Sequence, residues 1–304
     1  MNNDISIVIP VYNYQNVIQT IYLLSSEVYP GKKEIILVYD NPKVIIDNLF
    51  DKILKKYKIR LIINKTNQGL AGSYNVGINN AIYSNIFIIH EDCIPEDRFL
   101  IKNMLKKLNS SKDIFIINAK IVTQTRWKDY NFWNKILNFR HMEIIGAVGK
   151  ATMFKRELIS EVGLFDSKTF HTAGEDMDFN YRLDKKNIKI NEVEDRVYHI
   201  HNYDEANLIS ILKKEWQFGE AHGAFKRKYG ILKRVGYIDF ELRIILFIVC
   251  GLLPFFIISL AQSLINYSKT GWMAGVFTYP LIGMLVLLTQ TIAATKAFIT
   301  GRQV

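Results

Sequence analysis

Short apolar runs alternate with amphipathic stretches along the first third of the chain. The runs are rich in Ile and Val and are bounded by Pro, Asn or Asp, which is typical of strands that are buried on both faces of a sheet. The stretches between them have helical spacing. We therefore predict strands at 5–12, 34–40, 59–64 and 85–92, with helices near 16–27, 43–56 and 70–82. This order predicts an α/β fold with a mainly parallel sheet and helices on both faces.

The C-terminal part has a different pattern, because charged residues almost disappear from it. Neither Ile244–Ser268 nor Gly271–Thr295 contains a charged residue. A helix that crosses a membrane needs about 20 apolar residues, so each stretch is long enough. We predict two transmembrane helices, at about 244–265 and 273–295, that form a hairpin within 240–304. A buried core hairpin of a soluble protein is the alternative.

The basic residues around these stretches predict an orientation. The formal net charge is +10, and the loop between the two stretches offers only Lys269. Cytoplasmic flanks of membrane helices carry an excess of Lys and Arg, so we expect the N-terminal domain in the cytoplasm and a multi-pass protein of the cell membrane. Nucleic acid is not an expected partner, because the domain has no basic patch with interleaved aromatic residues. The flanking basic residues are Lys226, Arg227, Lys228, Lys233, Arg234, Arg243, Lys296 and Arg302.

Residues 206–239 join the two parts of the chain. Leu208, Ile211 and Leu212 recur at helical spacing opposite charged residues, and Trp216 follows. An amphipathic segment with Trp and a basic flank is typical of a helix that lies in the headgroup plane. An ordinary packed helix of the domain is the alternative.

Two groups of acidic residues point to chemistry. His90-Glu91-Asp92 follows the fourth predicted strand, and ligands of parallel sheets collect at the carboxyl ends of strands. Glu175-Asp176 follows a glycine and opens a predicted helix. Asp178 and Arg182 fit an ion pair between residues i and i+4 of that helix. Two separate acidic sites in one domain suggest one for a metal and one for a proton.

The order and spacing of these segments resemble family 2 glycosyltransferases of the GT-A fold, over roughly residues 4–205. The runs that carry the resemblance are SIVIPVYN, EIILVYDN, NQGLAGSYNVGINNA, FIIHEDCIPEDRFL and GLFDSKTF…GEDMDFNYRL. The resemblance implies a GT-A catalytic domain at 1–205 with a Rossmann-like sheet. It also implies transfer of a sugar from a nucleotide diphosphate donor with inversion at the anomeric carbon.

The resemblance implies a donor site. It places Asp40 at the acid that accepts from the nucleobase, although Tyr39 stands where the family usually has a second acid. Gly-rich residues 146–151 suit a close approach of the backbone to the donor sugar. The expected donor-binding residues are Pro10, Tyr12, Asn13, Asp40, Gly69, Asn75, Glu91 and Gly149.

A metal site is implied by the same resemblance, because His90-Glu91-Asp92 matches the Asp-x-Asp motif of the family. Oxygen ligands suit Mg²⁺ or Mn²⁺, and an imidazole favours Mn²⁺. The family often carries a His near the metal in the region of His199 and His201. The expected metal ligands are therefore Asp92, Glu91, His199 and His201.

The catalytic base is expected at Asp176, with Glu175 as its neighbour. An inverting transfer is a single displacement in which a base removes the proton of the acceptor hydroxyl. In the family pattern the Asp of the Glu-Asp pair takes this role.

We therefore predict a membrane-anchored inverting glycosyltransferase that uses a UDP-, GDP- or dTDP-linked sugar. Its partners would include membrane lipid, and a lipid-linked or glycan acceptor and a homo-oligomer both stay open. A non-catalytic nucleotide-sugar-binding scaffold is the alternative from another class, because Tyr39 and His90 replace acids. A processive polysaccharide synthase is less favoured, because Gln217 is not followed by the expected motif. A nucleotidyltransferase is less favoured too, because its glycine-rich, Lys-bearing loop is missing.

Overall fold

The computed structural model describes residues 3–123, 130–140, 149–200, 206–232, 240–301 and 303. The chain forms two compact units. Unit 1 comprises Met1–Gln124, Ile144–His171 and Glu175–His201, and unit 2 comprises Thr125–Glu143, Thr172–Gly174 and Asn202–Val304.

All described strands belong to one eight-stranded sheet in unit 1, in the order β3-β2-β1-β4-β7-β6-β8-β5. The first four strands by sequence run parallel to one another, whereas β7 pairs antiparallel with β4. The strands are β1 Ile5–Val11, β2 Lys33–Tyr39, β3 Arg60–Ile63, β4 Asn85–Ile89, β5 Cys93–Pro95, β6 Ile116–Thr123, β7 Ala151–Lys155 and β8 Asn191–His199. The prediction of an α/β fold with a mainly parallel sheet is confirmed.

Eleven helices complete the two units within the described residues. They are α1 Tyr14–Ser25, α2 Asn48–Lys56, α3 Gly69–Asn80, α4 Leu100–Leu108, α5 Phe132–Arg140, α6 Glu157–Val162, α7 Glu175–Lys185, α8 Leu208–Tyr229, α9 Phe240–Cys250, α10 Leu253–Thr270 and α11 Met273–Thr300.

The sheet of unit 1 has a hydrophobic core on each face, because its central strands are apolar on both sides. Alternate residues of β1 illustrate this, since Ile7 and Ile9 lie in one core and Val8 lies in the other. This is the arrangement that continuous apolar strands predict. It leaves the carboxyl ends of β1, β2 and β4 side by side at one edge of the sheet.

The fourth strand is shorter than its sequence suggests. The apolar run predicts a strand at 85–92, but β4 ends at Ile89. The carbonyl of His90 accepts from the backbone N–H of Cys93 at 3.1 Å, which closes a tight turn. The acidic residues therefore lie in a turn and not in the strand, because hydrogen bonding within the turn replaces the sheet ladder.

Unit 2 consists of the helices α5, α8, α9, α10 and α11. The first apolar stretch is interrupted in the structure, because Gly251 has a φ of +63° and separates α9 from α10. Among the described residues, Met273–Thr300 is the one helix whose length and composition suit a membrane crossing, and the apolar Leu253–Ser268 is shorter. A hairpin of two spanning helices therefore stays a prediction.

The segment 206–239 contains α8, which packs against α11. A Cβ on Gly219 would lie 2.5 Å from the carbonyl oxygen of Gln290, and one on Gly223 would lie 2.0 Å from that of Ala294. The two glycines thus allow close contact of the helix backbones, as small residues four apart commonly do. The charged side chains of α8 point partly into this contact, since Glu215 and Glu220 are buried.

One part of the predicted domain 1–205 belongs to unit 2. The apolar side chains Ile136 and Leu137 of α5 pack with Ile211 and Tyr279 of the C-terminal helices. Three residues before α7, Thr172–Gly174, are grouped with unit 2 as well. The predicted boundary at residue 205 is a single point in the sequence, so it cannot assign earlier segments to unit 2. Their assignment depends on which apolar faces pack together in the fold.

Candidate active site

In the turn after β4, the side chains of the neighbouring acids Glu91 and Asp92 point in different directions. Glu91 and Asp92 are its two central residues, and the Thr20 hydroxyl of α1 donates to the carbonyl of Cys93 at 3.0 Å. Consecutive residues of a turn point their side chains apart, so the two carboxylates reach different partners.

Glu91 holds the loop that follows β1. One carboxylate oxygen, Oε2, accepts from the backbone N–H groups of Tyr12 and Asn13, each at 3.0 Å. Pro10 lies in β1 just before this loop, and the Tyr12 side chain is exposed. Glu91 therefore shapes the loop expected to flank the nucleobase. It does not belong to the group of metal-ligating side chains described next, so its role as a ligand stays a prediction.

Asp92 instead belongs to a compact group of side chains that can bind a metal. One ligand atom each from His90, Asp92, Cys93 and His199 lies within 4.8 Å of all the others. His199 Nε2 is 3.2 Å from Asp92 Oδ2. The antiparallel pairing of β5 with β8, which sets Cys93 opposite His199, brings these residues together. His201, the other histidine expected here, lies outside the described residues.

The chemistry of this group fits a divalent ion. Burial lowers the pKa of His90 to about 4, against the opposing effect of Asp92, so the imidazole is neutral near pH 7 and can ligate. Burial raises the pKa of the Cys93 thiol well above its ordinary value, so the thiol stays protonated. A carboxylate and imidazole nitrogens are ligands that suit Mn²⁺ better than Mg²⁺.

Lys150 lies beside this group, and the sequence prediction did not include it. Its Nζ is 3.4 Å from His199 Nδ1, and its carbonyl accepts from the backbone N–H of His90 at 3.1 Å. Burial lowers the pKa of Lys150, against the attraction of Asp92 and Asp176. One sequence signal for this residue was available: the lysine directly follows Gly149 in a Gly-rich run that precedes a strand.

The second acid pair begins α7. Gly174 before it has a φ of +94°, and Asp176 Oδ1 accepts from the backbone N–H of Met177 at 2.7 Å. Burial raises the pKa of both carboxyls, and repulsion from Asp176 raises that of Glu175 further. A raised pKa makes a carboxylate a better proton acceptor.

The next turn of α7 is structural, as predicted. Arg182 Nε donates to Asp178 Oδ2 at 2.9 Å, which confirms the ion pair between residues i and i+4. Arg182 Nη1 also donates to the carbonyls of Val162 and Gly163. These contacts fix α7 against the segment that follows α6, and so they hold the start of the helix in place.

Tyr74 joins the two acidic sites, and it too was absent from the predicted site. Its buried hydroxyl donates to the carbonyl of Gly149 at 3.0 Å, and Gly149 has a φ of +119°. Burial raises the pKa of Tyr74 well above its ordinary value, and the carboxyl groups of Glu175, Asp176 and Asp92 add to the effect. Asp92 of the first pair and both carboxyls of the second therefore lie close enough to act on one hydroxyl.

Asp40 organises the loop that follows β3. Its Oδ1 accepts from Asn64 Nδ2 at 2.8 Å and from the backbone N–H of Gln68 at 2.7 Å. The preceding residue, Tyr39, is buried in a hydrophobic core. Asp40 lies at the carboxyl end of β2, where the donor site was predicted, whereas Tyr39 faces away from solvent.

Gly69 and Asn75 hold the segment that leads to the second acid pair. A Cβ on Gly69 would lie 2.1 Å from the His171 carbonyl oxygen, and Gly69 has a φ of +69°. The Asn75 side chain donates to the Phe165 carbonyl at 2.8 Å and accepts from its N–H at 3.0 Å. Their observed contacts are therefore with residues 165–171, and their expected contact with a donor stays a prediction.

Known proteins resemble this chain in sequence and in fold. The sequence profile of glycosyl transferase family 2 matches residues 6–163, just over half of the chain. No curated protein matches the sequence significantly.

Several solved structures share the fold at low sequence identity. A mannosyltransferase from Pyrobaculum calidifontis, solved with GDP-Man and Mn²⁺, is 14% identical with a TM-score of 0.58, covering 98% of this chain and 88% of that chain. GalNAc-T7, solved with UDP, GalNAc and Mn²⁺, is 13% identical with a TM-score of 0.52, covering 74% of this chain and 50% of that chain.

Proposed function

Because this chain belongs to glycosyl transferase family 2, we propose that it transfers a sugar, with inversion, from a nucleoside diphosphate donor to a lipid-linked or glycan acceptor at the cytoplasmic face of a membrane. One observation carries the proposal. A group of side chains that can bind a metal and a partly buried pair of carboxyl groups lie around the hydroxyl of Tyr74, at the carboxyl edge of the sheet.

The metal would be held by Asp92, His90 and His199, while the protonated Cys93 thiol lies beside them. A divalent ion supplies Lewis acidity, which stabilises the negative charge of a leaving diphosphate. The choice of Mn²⁺ rests on the mixed oxygen and nitrogen donors. The Mn²⁺ present in the mannosyltransferase and GalNAc-T7 structures supports it. Glu91 is proposed to act indirectly, by holding the loop that carries Tyr12 and Asn13.

Asp176 is proposed as the base. Burial raises its pKa, which increases its affinity for the proton of an acceptor hydroxyl. That hydroxyl oxygen forms the new bond to the anomeric carbon while the bond from this carbon to the diphosphate oxygen breaks, and the proton passes to Asp176. Glu175, whose pKa is also raised, would be mostly protonated at neutral pH and would donate a hydrogen bond to the acceptor.

The donor's nucleoside is proposed to lie on the carboxyl ends of β1 and β2. Pro10, Tyr12 and Asn13 would flank the base and ribose, and Asp40 would accept from the base. The exposed Tyr12 ring supports this placement. Gly149 offers backbone rather than a side chain to the donor sugar, which suits its place between Tyr74 and Lys150.

The membrane contact is proposed for α9, α10 and the first part of α11. Apolar side chains on all three helices are exposed, with Ile248 at 76% and Phe277 at 72% as examples. Charge returns at the end of α11, where Lys296 binds Glu220 of α8 at 3.1 Å. That end would lie on the cytoplasmic side, in agreement with the positive-inside rule. A multi-pass topology requires α10 to cross together with α11.

A panel of UDP-, GDP- and dTDP-sugars tests the proposal. The full chain in detergent is titrated with each donor in Mn²⁺ and in EDTA, and hydrolysis or transfer is followed by release of the nucleoside diphosphate. We expect one donor to bind in Mn²⁺ and to release its diphosphate. Binding without turnover across the panel would favour a nucleotide-sugar-binding scaffold, and no binding of any donor would contradict the proposal.

A further inference from the structure

We propose that Lys150 is a binding residue for the diphosphate of the donor, a role that rests on the proposed transferase function. Its ammonium would contact the phosphate oxygens directly, beside the metal group. The position of Lys150 in the fold points to this role. Lys150 immediately precedes β7, its carbonyl accepts from the N–H of His90, and its side chain reaches His199.

The side chain of Lys150 lies between the two acidic sites. Its ammonium interacts electrostatically with Asp92 of the metal group and with Asp176, the proposed base. A reacting donor must place its diphosphate at the first site and its anomeric carbon near the second. A cation at this position therefore lies where negative charge grows as the diphosphate leaves.

The contact with His199 defines what the ammonium does when no donor is bound. A protonated lysine has only donors, so His199 Nδ1 accepts from it. On the other side of the ring, Nε2 is 3.2 Å from Asp92 Oδ2. The 3.4 Å contact of Lys150 with the imidazole nitrogen is long for a hydrogen bond and therefore weak. A phosphate oxygen is a charged acceptor and forms a hydrogen bond about twice as strong, so it would displace His199 as the partner of Lys150.

Charge balance supports this exchange. Asp92 and Asp176 both act on Lys150, and ionised carboxylates repel a diphosphate. A protonated Lys150 adds a positive charge that belongs to the chain itself. The protein therefore has its own cation for the leaving group, in addition to any divalent ion.

Calorimetry with diphosphates and monophosphates tests the proposal. The full chain in detergent is titrated with UDP and UMP, GDP and GMP, and dTDP and dTMP, in Mn²⁺ and in EDTA. We expect wild type to prefer one diphosphate over its monophosphate, and Lys150→Met to lose about tenfold or more of that preference. Lys150→Gln is the second neutral variant should the first fail to fold, and Lys150→Arg should restore part of the preference.

Lys155→Met is the matched control. Lys155 ends the same strand, far from the site, where its Nζ lies 5.5 Å from the Phe115 ring. The Lys155→Met variant should bind the nucleoside diphosphate and the monophosphate with wild-type affinity. The affinity for Mn²⁺, measured by electron paramagnetic resonance, separates direct from indirect action. Removing the ammonium should leave Mn²⁺ affinity unchanged or raise it, because a nearby positive charge is lost.

Three outcomes would overturn the proposal. They are an unchanged preference in the neutral variants, a wild type that does not discriminate between diphosphate and monophosphate, and a joint loss of Mn²⁺ and diphosphate, which would mean that Lys150 acts only through His199. A wild type that binds no nucleoside diphosphate at all would instead contradict the proposed transferase function itself.

Discussion

Glu91-Asp92 and Glu175-Asp176 are similar in sequence, yet the fold treats the two acid pairs differently. The first pair lies in a turn, so Glu91 binds the backbone of the β1 loop while Asp92 faces His199. The second pair begins a helix, and burial raises the pKa of both carboxyls together. Backbone conformation thus decides whether adjacent acids have separate or shared surroundings.

The difference has a chemical consequence. Separation in the turn leaves Asp92 with the ligating side chains and gives Glu91 a structural task. Burial at the start of the helix makes each carboxyl of the second pair harder to ionise, and the charge of Asp176 adds to this for Glu175. Such carboxyls suit proton transfer better than metal binding. This difference supports the proposal that the metal binds at Asp92 of the first pair and that the second pair accepts the proton.

The largest effect is expected for Asp176→Asn. Loss of the base should reduce transfer by about 10²–10⁴-fold, while donor binding stays near the wild-type value, because the amide is isosteric. Steady-state transfer and calorimetric donor binding measure the two effects. Asp184→Asn, at an exposed position of the same helix, should transfer at the wild-type rate. Transfer by Asp176→Asn at that rate would exclude Asp176 as the base.

Asp92→Asn should have the next largest effect. It removes the one carboxylate of the metal group, so Mn²⁺ affinity should fall by about 10–100-fold, with transfer falling in parallel. Paramagnetic resonance of Mn²⁺ measures the first effect and a transfer assay measures the second. Unchanged Mn²⁺ affinity would place the metal elsewhere.

Glu91→Ala should act more weakly and in a different way. Two backbone N–H groups would lose their acceptor. They are partly exposed, so the stability loss should be about 1 kcal/mol. We expect donor KM to rise severalfold, since the loop at Tyr12 loosens, with Mn²⁺ affinity unchanged. A loss of Mn²⁺ affinity as large as that of Asp92→Asn would instead make Glu91 a ligand.

Glu27 is a buried acid that lies outside the site, so it shows what burial alone does to a carboxyl group. Its Oε1 accepts from the Ile101 N–H at 3.3 Å, and among the described residues its buried Oε2 has no hydrogen-bond partner. Burial raises its pKa from 4.5 to about 7. Since the folded state holds this proton more tightly, its stabilising contribution is complete below pH 4.5 and is lost as the pH rises through 7.

Glu27→Gln should remove that dependence without changing transfer. One pKa unit corresponds to about 1.4 kcal/mol, so the variant should be more stable than wild type at pH 8 by at most about 3 kcal/mol, and nearly equal to it at pH 4. Denaturant unfolding of the full chain in detergent at both pH values measures this. A wild-type stability that rises between pH 5 and 8 relative to Glu27→Gln would contradict it.

Much of the fold was predictable because local pattern and tertiary role coincide. The strands β1 and β2 are continuous apolar runs that are buried on both faces, and the structure ends each within one residue of the prediction. The strand predicted at 85–92 was too long, because an apolar pattern does not show where a turn begins. The break at Gly251 was missed for a similar reason, since composition does not report φ.

The site was predictable only in part. Asp92, His199, Glu175 and Asp176 were predicted, and the structure brings them around Tyr74 and beside Lys150. Tyr74 and Lys150 were not predicted, because their importance comes from pairing across strands and helices that are distant in sequence. Gly69 and Asn75 were expected at the donor, yet their observed partners are His171 and Phe165.

The sequence by itself determined the family, the α/β class, the apolar C-terminal part and the two acid pairs. These depend on residue type and local spacing, which the chain carries directly. Only the tertiary structure decided that Glu91 binds backbone, that α8 packs on α11, and that Lys150 reaches His199. Those facts depend on distances between segments far apart in the chain, which arise only when the sheet and the helices pack.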